Sequence, residues 1–150
     1  MVKMNDMMNE ILKAEEETKS CLQIDNIVRE IVSKTRIIRD CLVYDKDGIL
    51  KEKRINFNRI IQFVGDWTGY EVSCNELRFD RKSIHSNQFL VLVSRLSDML
   101  SQKFNGRKIV VYILLCENEI ELRFHTYRKD ESLWLDKDLN KYDMPILCWI

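Results

Sequence analysis

The spacing of apolar side chains divides the chain into helical and extended stretches. From Asn5 to Arg39 there is no Gly or Pro, and Ile24, Ile27, Val28, Ile31, Thr35 and Ile38 recur at three- and four-residue steps. That period lines one face of a helix. Ahead of it Met4, Met8, Ile11 and Leu12 form a shorter stripe, and Glu15-Glu16-Glu17-Thr18 interrupts the pattern, which predicts a break near Lys19. Leu42-Val43-Tyr44 and Ile49-Leu50 flank Asp45-Lys46-Asp47-Gly48, so a hairpin is expected to close at the Asp-Gly turn. Asn56 or Asn58 can cap a helix carrying Ile60, Ile61, Phe63, Val64 and Trp67, with its end in the Gly65 to Gly69 region. Tyr70-Val72 and Leu77-Phe79 alternate like short strands around a turn at Ser73-Cys74-Asn75.

The second half is more regular. Ser86 is placed to cap a helix in which Phe89, Leu92, Val93, Leu96, Met99, Leu100 and Phe104 keep the helical step, and Asn105-Gly106 supplies a left-handed stop. Lys108 to Cys116 is apolar on both faces, as a central covered strand requires. After a Glu117-Asn118 turn, Ile120, Leu122 and Phe124 alternate with Glu119, Glu121, Arg123 and His125, which predicts a strand with one wet face. Arg128 to Asp143 is charged apart from Leu133, Trp134, Leu135, Leu139 and Tyr142, and Ile146 to Ile150 reads as a closing strand. Without a regular β-α-β alternation, the order points to an α+β fold in one domain, with N-terminal helices and a central helix packed on a mainly antiparallel sheet. The expected division is a helical segment over residues 1–40, then a hairpin, helices and C-terminal antiparallel strands over 41–150.

Composition narrows the class. Hydrophobic residues make up 45% of the 150 and charged residues 32%, enough for one core without a disulfide or metal staple. Four glycines and one proline disfavour disordered and turn-dense classes and leave no phosphate-cradling glycine loop. The 24 basic and 24 acidic side chains cancel, against a tail built to bind a polyanion. Five cysteines at wide spacing form no C-x-x-C pair and read as reduced, mostly buried thiols, with no metal or cofactor expected. The opening residues turn polar at once and no apolar run approaches membrane length, so a cytoplasmic, non-membrane protein is expected.

Candidate chemistry is sparse. Val43 to Leu50 resembles the first D-x-D-G motif of haloacid-dehalogenase-type phosphotransferases, which would make Asp45 a nucleophile and Asp47 its acid/base. Phe63-Val64-Gly65-Asp66 follows too closely for the crossovers that family needs between motifs, so the Asp-Gly turn is the reading taken. Asp136-Lys137-Asp138-Leu139-Asn140 begins like a calcium loop, but Lys141 and Leu147 stand where Gly and Glu are required, leaving a solvated loop or a short capped helix. His85 lies in a helix-cap neighbourhood. On the wet strand face Glu121, Arg123, His125 and Tyr127 would point together, as a binding surface or the site of a small hydrolase or nucleic-acid-processing enzyme. Between Arg29 and Arg59 nine bases face five acids, a surplus that a nucleic-acid-associated regulator could use, although such binding prefers a denser patch with interleaved aromatics. Ordinary core packing is expected of the Met4, Met8, Ile11 stripe, with docking of a partner or of a second copy as the other use.

Aromatic residues in a polar rim act as interface anchors, which Trp134, Tyr127 and Tyr142 fit, with Asp136 and Asp138 beside them. In size, composition and lack of a catalytic motif the whole chain resembles the small immunity proteins encoded beside bacterial polymorphic toxins. That resemblance implies a non-catalytic cytosolic protein-binding module that inhibits one toxin domain, and it carries over no individual residue. The neutral charge departs from the acidic balance of nuclease inhibitors, so it does not imply a nuclease as target.

Overall fold

A computed structural model describes residues 1–14 and 22–150. The acidic Glu15 to Thr18 stretch, the break expected near Lys19, and Cys21 lie outside the described residues. The elements run β1 (Val2–Met4), α1 (Asp6–Lys13), α2 (Leu22–Lys34), β2 (Thr35–Ile38), β3 (Cys41–Tyr44), α3 (Phe57–Val64), α4 (Trp67–Cys74), β4 (Glu76–Asp80), α5 (Phe89–Lys103), β5 (Ile109–Leu115), β6 (Glu119–Thr126) and β7 (Ile146–Trp149). The fold is α+β in a single domain. A five-stranded sheet in the order β1-β7-β5-β6-β4 is antiparallel at every pairing, and β2 and β3 form a separate hairpin.

The central strand is β5, buried along its whole length. Its Ile109, Val111, Ile113 and Leu115 join Ile120, Leu122 and Phe124 of β6 in a core with α2 and α5. Met8 lies inside that core with Met4 and Ile11 packed against it, so the N-terminal stripe is core. On the opposite face Val110, Tyr112 and Leu114 meet Leu135, Leu139, Ile146 and Cys148, roofed by Leu133, Trp134 and Tyr142. The sheet thus has two apolar layers, which explains why β5 carries no polar alternation.

Several boundaries depart from the periodicity. The helical stripe was expected to reach Ile38, but α2 stops at Lys34. The Thr35 hydroxyl donates to the Ile31 carbonyl at 2.8 Å, and the chain turns into β2. Arg39 and Asp40 both take positive φ, 45° and 63°, in the two-residue turn that joins β2 to β3. This is where the hairpin closes. The Asp47-Gly48 turn exists as well, with Gly48 at φ 67°, but Ile49 beyond it is 71% exposed and no strand follows. Instead the buried Asp45 carboxylate accepts the Ile49 and Leu50 N–H groups, both at 3.2 Å, and pairs with Arg36.

Tyr70 to Val72 form no strand. Asn56 caps α3 by accepting the Arg59 N–H at 3.1 Å, Gly65 ends it at φ 92°, and Trp67 starts α4 rather than finishing α3. The first turn of α4 is held from two sides: Asp66 accepts the Gly69 N–H at 2.7 Å, and the Glu131 carboxylate accepts the Trp67 and Thr68 N–H groups at 3.3 and 2.7 Å. Such capping outweighs the local alternation. Ser86 opens a short 3-10 turn and does not cap α5, which begins at Phe89 behind Gln88. Asn105 and Gly106 end α5 as expected, the Gly106 N–H donating to Ser101 at 2.8 Å. Strand β1, which no pattern announced, lies within the segment expected to be helical. Asn5 locks it to the far end of the chain: its Oδ1 accepts the Met8 and Ile146 N–H groups and its Nδ2 donates to the Leu139 and Met144 carbonyls.

Candidate functional site

The face of β6 expected to be wet is covered. His125 is 1% exposed; its Nδ1 donates to the Thr126 carbonyl at 2.8 Å, which leaves Nε2 to accept from the Tyr112 hydroxyl 3.2 Å away. Burial lowers its pKa from the ordinary 6.5, so the ring is neutral at pH 7. Glu121 is buried against Arg123, which also pairs with Glu76 at 2.7 Å and donates to the Val72 carbonyl at 3.1 Å. The Trp134 ring lies 4.9 Å from the Arg123 guanidinium and edge-on to Tyr112. These side chains meet as a roof over the sheet, and both nitrogens of His125 are engaged.

Of the other residues expected at a binding surface, three hold one loop together and Tyr127 stands at the strand end. Tyr127, past the end of β6, carries the Lys108 ammonium 4.7 Å above its ring. Asp136, Asp138 and Tyr142 organise the C-terminal loop: Asp136 accepts the Asp138 N–H and pairs with Lys141 at 2.9 Å, Asp138 accepts the Asn140 N–H, and the Tyr142 hydroxyl accepts the Asp136 N–H. Asp138 caps a short 3-10 turn over Leu139–Lys141. Among the described residues no three His, Cys, Asp or Glu side chains gather to hold a metal.

A buried carboxylate escaped the sequence reading because it sat in a supposed strand. Glu71 of α4, fully buried, accepts the Leu42 N–H at 2.8 Å, the Thr126 N–H and hydroxyl, and the Arg128 guanidinium at 2.7 Å. One side chain therefore joins α4 to β3 and β6. With every oxygen engaged, it serves as a structural clamp.

The open surface lies at the sheet edge. Among the described residues strand β4 pairs with β6 alone, and a groove of about 590 Å³ separates it from α2. Ile27, Ile31, Leu77 and Phe79 supply apolar walls, while Glu30, Lys46 and Arg78 stand among its charged lining. Tyr44 also lines it, its hydroxyl pKa raised by burial. The register shows which backbone groups face it. Arg81 donates to the Asn118 carbonyl, which places Leu77 and Phe79 in the hydrogen-bonded pairs with β6 and turns the N–H and C=O of Arg78 outward. Arg78 itself is held by Glu76, Glu119 and Glu121 at 2.6, 2.8 and 3.4 Å.

Past Ser73, which lines both, the groove leads to a hollow of about 580 Å³ on α3 among Ile60, Phe63 and Val64. Phe63 is 91% exposed. The helix buries Phe57 and half-buries Ile60, Ile61 and Val64, the i, i+3, i+4, i+7 stripe, and Phe63 falls off it. That offset is the signal by which the sequence could have exposed Phe63 as an outward aromatic. Among the described residues no helix is long and apolar enough to cross a membrane.

The model of the Uncharacterized protein PM0498 family matches residues 3–149, nearly the whole chain, and the protein belongs to that family. No curated protein and no solved structure matches it significantly.

Proposed function

We propose that this member of the PM0498 family is a non-catalytic protein-binding module that works in the cytoplasm as an immunity-like inhibitor, docking one toxin domain on the β4 edge and the α3 shelf. The observation that carries the reading is Phe63, an aromatic ring left in water at the mouth of an apolar hollow. Exposed apolar surface rimmed by polar groups marks protein interaction sites. The groove supports it, because an extended segment can add to a free strand edge beside a helix, taking main-chain hydrogen bonds from the strand and side-chain pockets from the walls. The Trp134 and Tyr142 anchors expected from sequence are replaced in this reading by Phe63, Leu77 and Phe79.

The test is co-expression with the product of the adjacent gene, followed by size-exclusion chromatography with light scattering. A one-to-one complex with the wild-type protein, lost in Phe63→Ser while the variant stays folded by circular dichroism, supports the reading. No complex with the wild type removes the immunity reading. A complex that Phe63→Ser leaves intact moves the docking surface elsewhere, and self-association of the wild type alone makes the occupant a second copy.

A further inference from the structure

The basic surplus counted between Arg29 and Arg59 is not spread evenly in space. Lys34 pairs with Glu30 and Arg36 with Asp45, whereas Arg39, Lys53 and Arg54 line one hollow of about 380 Å³ where α3 begins. Among the described residues no carboxylate lines that hollow. Among the described residues none of the three cations belongs to an ion pair. Three unpaired cations lining one hollow give it a positive potential that favours an anion. Arg39 is also held in place. Its guanidinium lies 4.8 Å from the Phe57 ring centroid and 5.4 Å from that of Trp67, so two aromatic rings hold the planar group, and among the described residues no carboxylate pairs with it.

We infer that this hollow binds a phosphate group, through the pinned guanidinium of Arg39 and the cations of Lys53 and Arg54. A carboxylate offers two oxygens and one charge, which satisfy one guanidinium fork and leave two cations unmatched. A phosphate offers more oxygens and up to two charges, spread over a tetrahedron that several donors can approach at once. The phosphate can be free or part of a nucleic-acid strand. The hollow shares no lining residue with the groove or the Phe63 shelf, so it stands or falls independently of the docking surface.

The experiment titrates the full chain with inorganic phosphate, following amide shifts by nuclear magnetic resonance, and with a short labelled oligothymidylate, following anisotropy across salt. Saturable shifts at Phe57 and Asn58 are expected, with affinity about tenfold weaker in the exposed double variant Lys53→Ala/Arg54→Ala. Arg39→Lys, which keeps the charge but loses the planar fork, should weaken binding too. If a nucleic-acid strand is the source, the oligonucleotide binds tighter than free phosphate, with a log–log salt slope of about −2 for three cations. If the source is free phosphate, the strand gains nothing over it, and the site still stands. Neither probe saturating the hollow, or the double variant binding both as the wild type does, overturns the inference.

Discussion

Replacing Glu71 with Gln should cost this protein several kcal/mol, because the change removes one acceptor and the counter-charge from a buried cluster. The carboxylate sits at 0% exposure and the Arg128 side chain paired with it at 19%. One oxygen accepts from Leu42 and Arg128 while the other accepts the Thr126 N–H. A glutamine has the same shape but only one acceptor oxygen, and its amide donors would face a backbone N–H whichever way the group is flipped. One buried donor then loses its acceptor, at about 1–3 kcal/mol, and Arg128 loses its counter-charge. Removing one partner from a buried ion pair costs about 3–5 kcal/mol, which bounds the total. For a chain of this size that corresponds to a fall of roughly 6–20 °C in Tm. The assay is urea unfolding by circular dichroism and Trp fluorescence at pH 7, with the m value checked for constancy, and Glu119→Gln at the exposed Arg78 pair as the control, whose curve should overlay the wild type. A loss below about 1 kcal/mol would refute the clamp, because Leu42 and Thr126 would then have found other acceptors at no cost.

Other perturbations test separate parts. His125 has a lowered folded pKa, so below about pH 6.5 the unfolded chain binds a proton that the folded chain resists, and stability should fall as pH drops from 7.5 to 5.5. His125→Gln should flatten that part of the slope; an unchanged slope assigns it to other groups. Asn5→Ala removes four hydrogen bonds around a buried position and should lower stability by about 2–4 kcal/mol in the same urea assay, with the amide of Ile146 losing hydrogen-exchange protection first. Burial pushes the Cys41 and Cys148 thiols up to about 12, so in the native state they should resist a thiol reagent at pH 8 and react only on unfolding, which mass spectrometry of alkylated peptides resolves. Gly69→Ala puts a methyl 2.8 Å from the Val64 carbonyl oxygen and should destabilise the α3 to α4 junction, read as a drop in Tm.

How much of this was legible in the sequence depended on how far away the deciding partner lies. Helix α5, its Asn105-Gly106 stop and strands β5 to β7 followed from local period and turn chemistry. Helix α4 did not, because Glu131, at a sequence separation of 63 from Thr68, holds its first turn, and β2 was hidden by apolar positions that continued the helical step of α2. The polar alternation at Glu121, Arg123 and His125 was read correctly as one strand face. Alternation cannot report that Trp134 and the loop after it fold back over that face, so burial there was the part that misled. The exposed groove was illegible for the converse reason: an edge strand and a covered strand share one pattern until the strand order is known.

That order also constrains how the molecule is made. Strand β7 lies between β5 and β1, with Val2 opposite Trp149 and Val111 opposite that same residue on its other side. Strand β1 therefore has no neighbour in the sheet until β7 has been synthesised, and until then both it and the edge of β5 stand open. A nascent chain stalled before Ile146 would expose two unpaired edges to its neighbours on the same message.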